Sequence, residues 1–359
     1  MKPVKVILMI VGIIILGTTL CFAAPNPSGD FILADFDDET SFNTPAAALT
    51  RITLDGNGNG TYQNLYTSEA DTLESGNFTY SIAPDGSLTI QEEGETVMDH
   101  GIFSADGNMF TLAYTAEGLG IAVGIKKSSG MSNASLNGSY IASYFGDETD
   151  SNLPWAGLAR ITLDGNGHAT YQDLYTTDEL EGGAFTYSIA DDGQLTITIA
   201  GFQVHGMVSA DGSIFTLAET AFPSEAGIDI GIKESSGMSN ASANGCYLIS
   251  QYEDHKGQND PWSAITRICL DGNGNATYQD LYTSDNELES ASFTYSIAAN
   301  GQLTIYTEGM QFHGIVSADG NTLTVAITEI EWPAILFGIK ESAVKIKAIP
   351  GIPLLLLDD

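Results

Sequence analysis

The sequence predicts an all-β protein of three tandem eight-stranded antiparallel up-and-down barrels, with three β-sandwiches as the alternative. Three observations predict it. The chain repeats itself at whole-domain spacing: RITLDGNG at Arg51 returns at Arg160 and, as RICLDGNG, at Arg267. FTYSI at Phe78, SADG at Ser104 and GIK at Gly124 return likewise, 105 to 109 residues later each time. Solenoid units repeat every 20–50 residues or so, so each copy here is a domain. Within a copy, short β-branched and aromatic runs alternate with Asp-Gly and Asn-Gly turns, which supply the positive φ of tight hairpins. No stretch carries helical periodicity.

In chain order, residues 1–23 read as an export signal. Lys2 and Lys5 precede an uncharged apolar run, and Cys21-Phe22-Ala23 offers small residues before a cut after Ala23. The repeats follow at 28–127, 136–234 and 243–342. Repeat two predicts strands at 140–145, 158–163, 170–176, 184–189, 194–199, 203–209, 214–219 and 228–233. At least three of its connections are hairpins between sequence neighbours, which makes a meander that can close on itself and remove its edges. The linkers KKSSGMSNASLNG and KESSGMSNASANG are Ser/Asn/Gly-rich and predict loosely joined beads. Residues 343–359 form an apolar tail, read as covering the last barrel, since exposed apolar runs are costly.

Each repeat opens with Gly, one residue, then an aromatic: Gly29-Asp30-Phe31, Gly138-Ser139-Tyr140 and Gly245-Cys246-Tyr247. With the DGNG and ADG hairpins and a closing strand ending in GIK, this resembles the lipocalin- and avidin-like barrels of uncharacterised secreted bacterial proteins. The opening is similar to the lipocalin Gly-x-Trp, with Phe or Tyr in place of Trp. Barrels of this kind often bind small molecules, so the resemblance implies one small ligand per barrel as an expectation.

The chain has 12 Lys+Arg against 46 Asp+Glu, a net charge of −34. Such a surface repels nucleic acid and anionic lipid and favours cations and cationic partners. No nucleic-acid partner and no membrane insertion of the mature chain are expected; the partner is an unknown extracellular molecule or small ligand. Two cysteines remain after the signal, Cys246 and Cys269. If the first two strands of repeat three pair as a hairpin, these residues face each other across the ladder and form a disulfide, as an oxidising, exported location permits.

The candidate binding residues recur with the repeat. They are His100, His205 and His313; Gln63, Gln172 and Gln279; and Arg51, Arg160 and Arg267. Converging inside a barrel mouth, they would clamp an anionic or hydroxylated ligand. Strand parity argues otherwise for the arginines, because Arg51 alternates with Ile52 and points to the opposite face. Trp155 and Trp262 share a loop position and are candidate anchors or barrel-end plugs. DGNGNG at Asp55 begins like a calcium loop, but Tyr66 stands where a bidentate Glu belongs, so a hairpin turn is the reading. The loops after the first strands carry Asp35, Asp37, Asp38 and Glu39; Asp147, Glu148 and Asp150; and Glu253, Asp254 and Asp260. Weak calcium binding by these loops is the one metal option; no other metal or cofactor is expected.

No nucleophile, zinc or phosphate-binding motif is present, so catalysis is not expected. A hydrolase built on the recurring Glu74, Glu181 and Glu289 is the third reading. The first is a non-catalytic surface or periplasmic module for binding or adhesion, and the second a lipocalin-like binder with one small molecule per barrel.

Overall fold

A computed structural model describes residues 27–342 except 40–42, 70–72, 117, 150, 223 and 308. Residues 1–23, read as an export signal, and 343–359, read as a tail, lie outside the described residues. The first barrel is β1 (Ser28–Asp38), β2 (Ala46–Asp55), β3 (Asn59–Thr67), β4 (Ser75–Ile82), β5 (Ser87–Glu92), β6 (Asp99–Phe103), β7 (Met109–Tyr114) and β8 (Leu119–Lys126). The second is β9 (Asn137–Glu148), β10 (Trp155–Asp164), β11 (His168–Thr176), β12 (Gly182–Ile189), β13 (Gln194–Ile199), β14 (Phe202–Val208), β15 (Ile214–Glu219) and β16 (Glu225–Lys233). The third is β17 (Gly245–Glu253), β18 (Trp262–Leu270), β19 (Asn275–Thr283), β20 (Ser290–Ile297), β21 (Gln302–Thr307), β22 (Met310–Val316), β23 (Thr322–Ile327) and β24 (Ala334–Lys340). Every neighbour pair is antiparallel and each last strand closes on its first, so all three are up-and-down barrels and the sandwich alternative falls.

The DGNG segments are turns. Asp55 Oδ1 accepts the N–H groups of Asn57 (2.6 Å) and Asn59 (3.0 Å), and Asn59 Nδ2 donates to Oδ2 at 2.8 Å. Both carboxylate oxygens thus serve the hairpin, as an Asx turn requires.

Alternation along the first strand decides how the barrels meet. In β1, Phe31 and Leu33 face the barrel interior, while Ile32, Ala34 and Phe36 face outward. The outward residues are fully buried because another barrel covers them. One apolar cluster draws these residues together with Ile141, Phe145, Ile228 and Ile230 of the second barrel and Leu248, Tyr252, Ile335 and Phe337 of the third. At its centre the rings of Phe36, Phe145 and Tyr252 meet pairwise, 5.1–5.3 Å between centroids, edge to face. Strands covered on both faces read as unbroken apolar runs, which is why GIAVGIK carries no polar alternation.

The contacts close a ring. Tyr66 stacks on His205 (3.7 Å), Tyr175 on His313 (3.6 Å) and Tyr282 on His100 (3.6 Å), running from barrel one to two, two to three, and three to one. The chain after each GIK follows the same course. Ser128 N–H donates to Asp192 O, Ser235 N–H to Asn300 O, and Ser342 N–H back to Asp85 O of the first barrel.

The expectation of loosely joined beads is therefore corrected. The linkers are pinned: Asn133 Oδ1 accepts Ile189 N–H at 2.8 Å and Asn240 Oδ1 accepts Ile297 N–H at 2.7 Å. Met131 and Leu136 bury in the second barrel's core, and Met238 and Ala243 in the third's. Composition suggested flexibility, but Ser and Asn side chains here bond the backbone they cross.

Cys246 and Cys269 are cross-strand partners joined by a disulfide, Cα–Cα 4.0 Å apart. Its loop spans 23 residues, so reduction is expected to cost about 3 kcal/mol, read as a lower denaturant midpoint in reductant. Replacing Phe145 by Ala is expected to cost about 3–5 kcal/mol. A loss under about 1 kcal/mol would show that the three rings are not a packed centre.

Candidate functional site: acidic cups in the barrels

The inner faces form cups. Each floor is set by the aromatic of the opening motif: Phe31, Tyr140 and Tyr247 are fully buried, with the amines of Lys126, Lys233 and Lys340 5.6–5.7 Å from their ring centroids. Above the floor the inward positions of the first strand diverge. In barrel one these are Asp35 and Asp37, in barrel two Tyr144 and Gly146, and in barrel three Gln251 and Glu253. The three barrels differ at these inward positions while sharing their outer packing.

Barrel one encloses a cavity of about 400 Å³ walled by Asp35, Asp37, Glu69, Glu74, Glu92 and Asp99, with Tyr62, Asn64 and Tyr114. Barrel three encloses about 920 Å³ walled by Glu253, Asp260, Asp280, Asp285, Glu287 and Glu289, with Trp262, Tyr278, Phe293, Phe312 and Trp332. Neither wall carries a Lys, Arg or His. Burial therefore goes uncompensated. It pushes Glu253 up to about 7, and burial with the nearby Glu92 pushes Asp99 up to about 7. Burial and the like charge of Asp37 hold Asp35 well above the usual carboxylate range. Hydrogen bonds keep part of the wall in place: Thr50 Oγ1 donates to Asn64 Oδ1 and Thr266 Oγ1 to Asp280 Oδ1, each at 2.8 Å.

Barrel two carries aromatics at its mouth. Tyr144 sits opposite Gly157 and Trp155 opposite Gly146. A Cβ on Gly157 would lie 2.1 Å from the Tyr144 hydroxyl, and one on Gly146 2.4 Å from the Trp155 ring. The two glycines thus seat two large aromatics in the mouth. Below them Tyr144 Oη donates to Asp173 Oδ1 at 3.3 Å, and burial pushes Asp229 up to about 7.

The recurring polar residues singled out in sequence do not converge in the mouths. His100, His205 and His313 face outward and stack on tyrosines between barrels, and burial lowers their basicity. Arg51, Arg160 and Arg267 pair across the ladder with Gln63, Gln172 and Gln279 on the outer face, where the glutamines are exposed. Arg160 binds Glu234 at 3.1 Å and Arg267 binds Glu341 at 2.5 Å. Repeat one has Lys127 at that place, and Arg51 Nε is without a partner among the described residues. An anion clamp from these three types is therefore corrected: period two sends all of them away from the cavity. Trp262 does wall cup three, where it hydrogen-bonds Asp285, and Trp155 lies over Gly146 at the second mouth.

Sequence reading passed over the residue after each glutamine: Asn64, Asp173 and Asp280 point inward. It also passed over Trp332, which stacks on His255 at 4.0 Å beside the third mouth. The TYQ[DN] motif held the signal for the first set, had the hairpin register been known. The acidic loops divide the same way. Asp35 and Asp37 enter cup one, Asp38 turns outward, and Asp150 lies outside the described residues.

The fold and cups define a class: a closed ring of three β-meander barrels, with anionic cups in the first and third. No family model and no curated protein matches the chain. Among solved structures it is similar to a mutant of the vaccine antigen transferrin binding protein B from Haemophilus parasuis, at 8% identity and TM-score 0.30, over 89% of this chain and 77% of that one. The isotype 1 protein from serogroup B Neisseria meningitidis gives 8% and 0.28 over the same shares. A protein of unknown function from the DUF3598 family of Nostoc punctiforme gives 9% and 0.20, over 88% and 95%. Likeness at this level extends to neither family nor function. Among the described residues no helix is long and apolar enough to cross a membrane.

Buried acids of raised pKa bind protons in the folded state that the unfolded chain, titrating near about 4, has released. Stability is thus expected to fall as pH rises from about 4 through 7, the folded value of Asp99 and Asp229. Thermal midpoints in chelator-containing buffer check this, and Asp99→Asn and Asp229→Asn should each shrink the drop.

Proposed function

We propose that this chain is an exported, non-catalytic binding protein whose first and third barrels each hold a small organic cation. The observation that carries the reading is the composition of the two walls: six carboxylates, several aromatic rings and no basic side chain in each. A cation with an amine or guanidinium head would pair with the carboxylates, and its body would lie against Tyr278, Phe293 and Trp262. Binding would draw protons off groups such as Glu253 and Asp99, so affinity rises with pH. Barrel two, whose first strand puts Tyr144 and Gly146 where the other barrels have acids or Gln251, serves as a spacer. The signal-like pattern of residues 1–23 and the cystine in repeat three support an oxidising location. The absence of a nucleophile motif supports a binding role over the hydrolase reading, in which Glu74 and Glu289 would act from inside the cups.

A second reading, adhesion to a surface partner, draws on Leu73, Leu180 and Leu288. They occupy one loop position in the three repeats and are 54%, 62% and 63% exposed. Three weak apolar contacts on a rigid ring would gain by avidity.

Native mass spectrometry of the full chain with a diamine, a polyamine and a quaternary amine in turn tests the first reading. Up to two bound molecules are expected, falling by one in the Glu253→Gln/Asp280→Asn double variant. Calorimetry in buffers of different ionisation enthalpy should show proton release on binding. Bare chain with every amine, with no heat at millimolar concentration, would defeat it.

A further inference from the structure

Asp38, Asp147 and Asp254 hold one position in the three repeats, two residues beyond the hub aromatics Phe36, Phe145 and Tyr252. Parity places them on the outward side of the first strands, where the barrels meet. They are 0%, 1% and 0% exposed. One carboxylate oxygen from each lies within 4.8 Å of those of the other two. Their Oδ1 atoms are engaged by the local backbone. Asp38 accepts from Glu39 and Thr44 N–H (2.8 and 2.9 Å), Asp147 from Glu148 N–H (2.8 Å), and Asp254 from His255 and Asp260 N–H (2.7 and 3.0 Å). Each Oδ2 is buried and accepts nothing among the described residues.

A second set of oxygens is orphaned at the same hub. Asn43, Asn152 and Asn259 lie five residues after the three aspartates. Each spends its Nδ2 on the carbonyl that follows the neighbouring repeat's aspartate: Glu148 O (2.7 Å), His255 O (3.1 Å) and Glu39 O (3.2 Å). Their Oδ1 atoms are buried and unpartnered too, and Asn152 as a whole is only 6% exposed. Buried polar oxygens in native proteins are otherwise almost always bonded. Three carboxylates this close, with no ion pair to any of them among the described residues, must either share protons or hold a cation.

We propose that Asp38, Asp147 and Asp254, completed by the amide oxygens of Asn43, Asn152 and Asn259, bind one hard divalent cation, calcium before magnesium, where the three barrels meet. An all-oxygen set selects a hard ion. Calcium takes 6–8 oxygens at about 2.3–2.6 Å, so two of its ligands stand at most about 5 Å apart, in keeping with the span seen here. Magnesium retains several waters, and a hub sealed by three barrels and backbone bonds offers them little room. The site differs from a loop-by-loop calcium site, because each repeat supplies one carboxylate and none suffices alone. The ion would lock the ends of β1, β9 and β17 together and make the ring calcium-dependent.

Calcium titration of the chelator-stripped full chain by calorimetry tests it, alongside thermal unfolding with about 5 mM calcium or magnesium. One calcium per chain and a midpoint raised by several degrees are expected, with a smaller rise in magnesium. Asp147→Asn and Asp254→Asn, which sit in different barrels, should each weaken calcium about tenfold or more while leaving the metal-free chain at least as stable. Terbium luminescence sensitised through Tyr252 and displaced by calcium reads the site in the wild-type chain if a variant fails to fold; Tyr252→Phe should weaken the signal and keep the calcium affinity. No heat and an unmoved midpoint would overturn the proposal, leaving the carboxylates to share protons. So would three ions per chain, or unaltered calcium binding in both aspartate variants.

Discussion

The structure depends on the burial of the outward face of three strands. In β1, β9 and β17 the positions that a lone barrel would show to water carry Ile32 and Phe36, Ile141 and Phe145, and Leu248 and Tyr252. Fully burying a side chain of that size contributes about 1.5–3 kcal/mol, so a face of them must find a partner surface. Three like faces meeting at one centre satisfy one another without an edge left over. The histidine–tyrosine stacks and the return of Ser342 to Asp85 then follow as the rim of that closure.

The barrels themselves were legible in the sequence, and the reason is local. DGNG, DDGQ and ADGS turns need glycine at positive φ, and alternating runs between them leave little choice but a meander. The cystine was legible because hairpin register alone brings Cys246 to Cys269. The hub was not, because an apolar residue on the outer face of a strand looks the same in sequence whether a second barrel covers it or not. The recurring polar residues misled for a related reason. Arg51, Gln63 and His100 recur because an outer surface shared by three repeats recurs. Side chains facing the cup are freer to differ, and Asp35, Tyr144 and Gln251 show it.

That difference gives the molecule its asymmetry. Glycine at 146 and 157 admits Trp155 and Tyr144 to the second mouth, whereas Glu253 and Gln251 leave the third mouth wide and acidic. One architecture thus carries an aromatic-lined mouth between two acidic cups. The same division runs through the acidic loop: Asp37 belongs to a cup and its neighbour Asp38 to the hub, a consequence of the two-residue period alone.

Differential scanning calorimetry of the full chain is the most direct test of the shared core. Barrels fused through one apolar centre unfold as a unit, so the account predicts a single transition whose calorimetric and van't Hoff enthalpies agree. Two or three separable transitions, each with the enthalpy of one barrel, would show that the barrels stand alone and would contradict it.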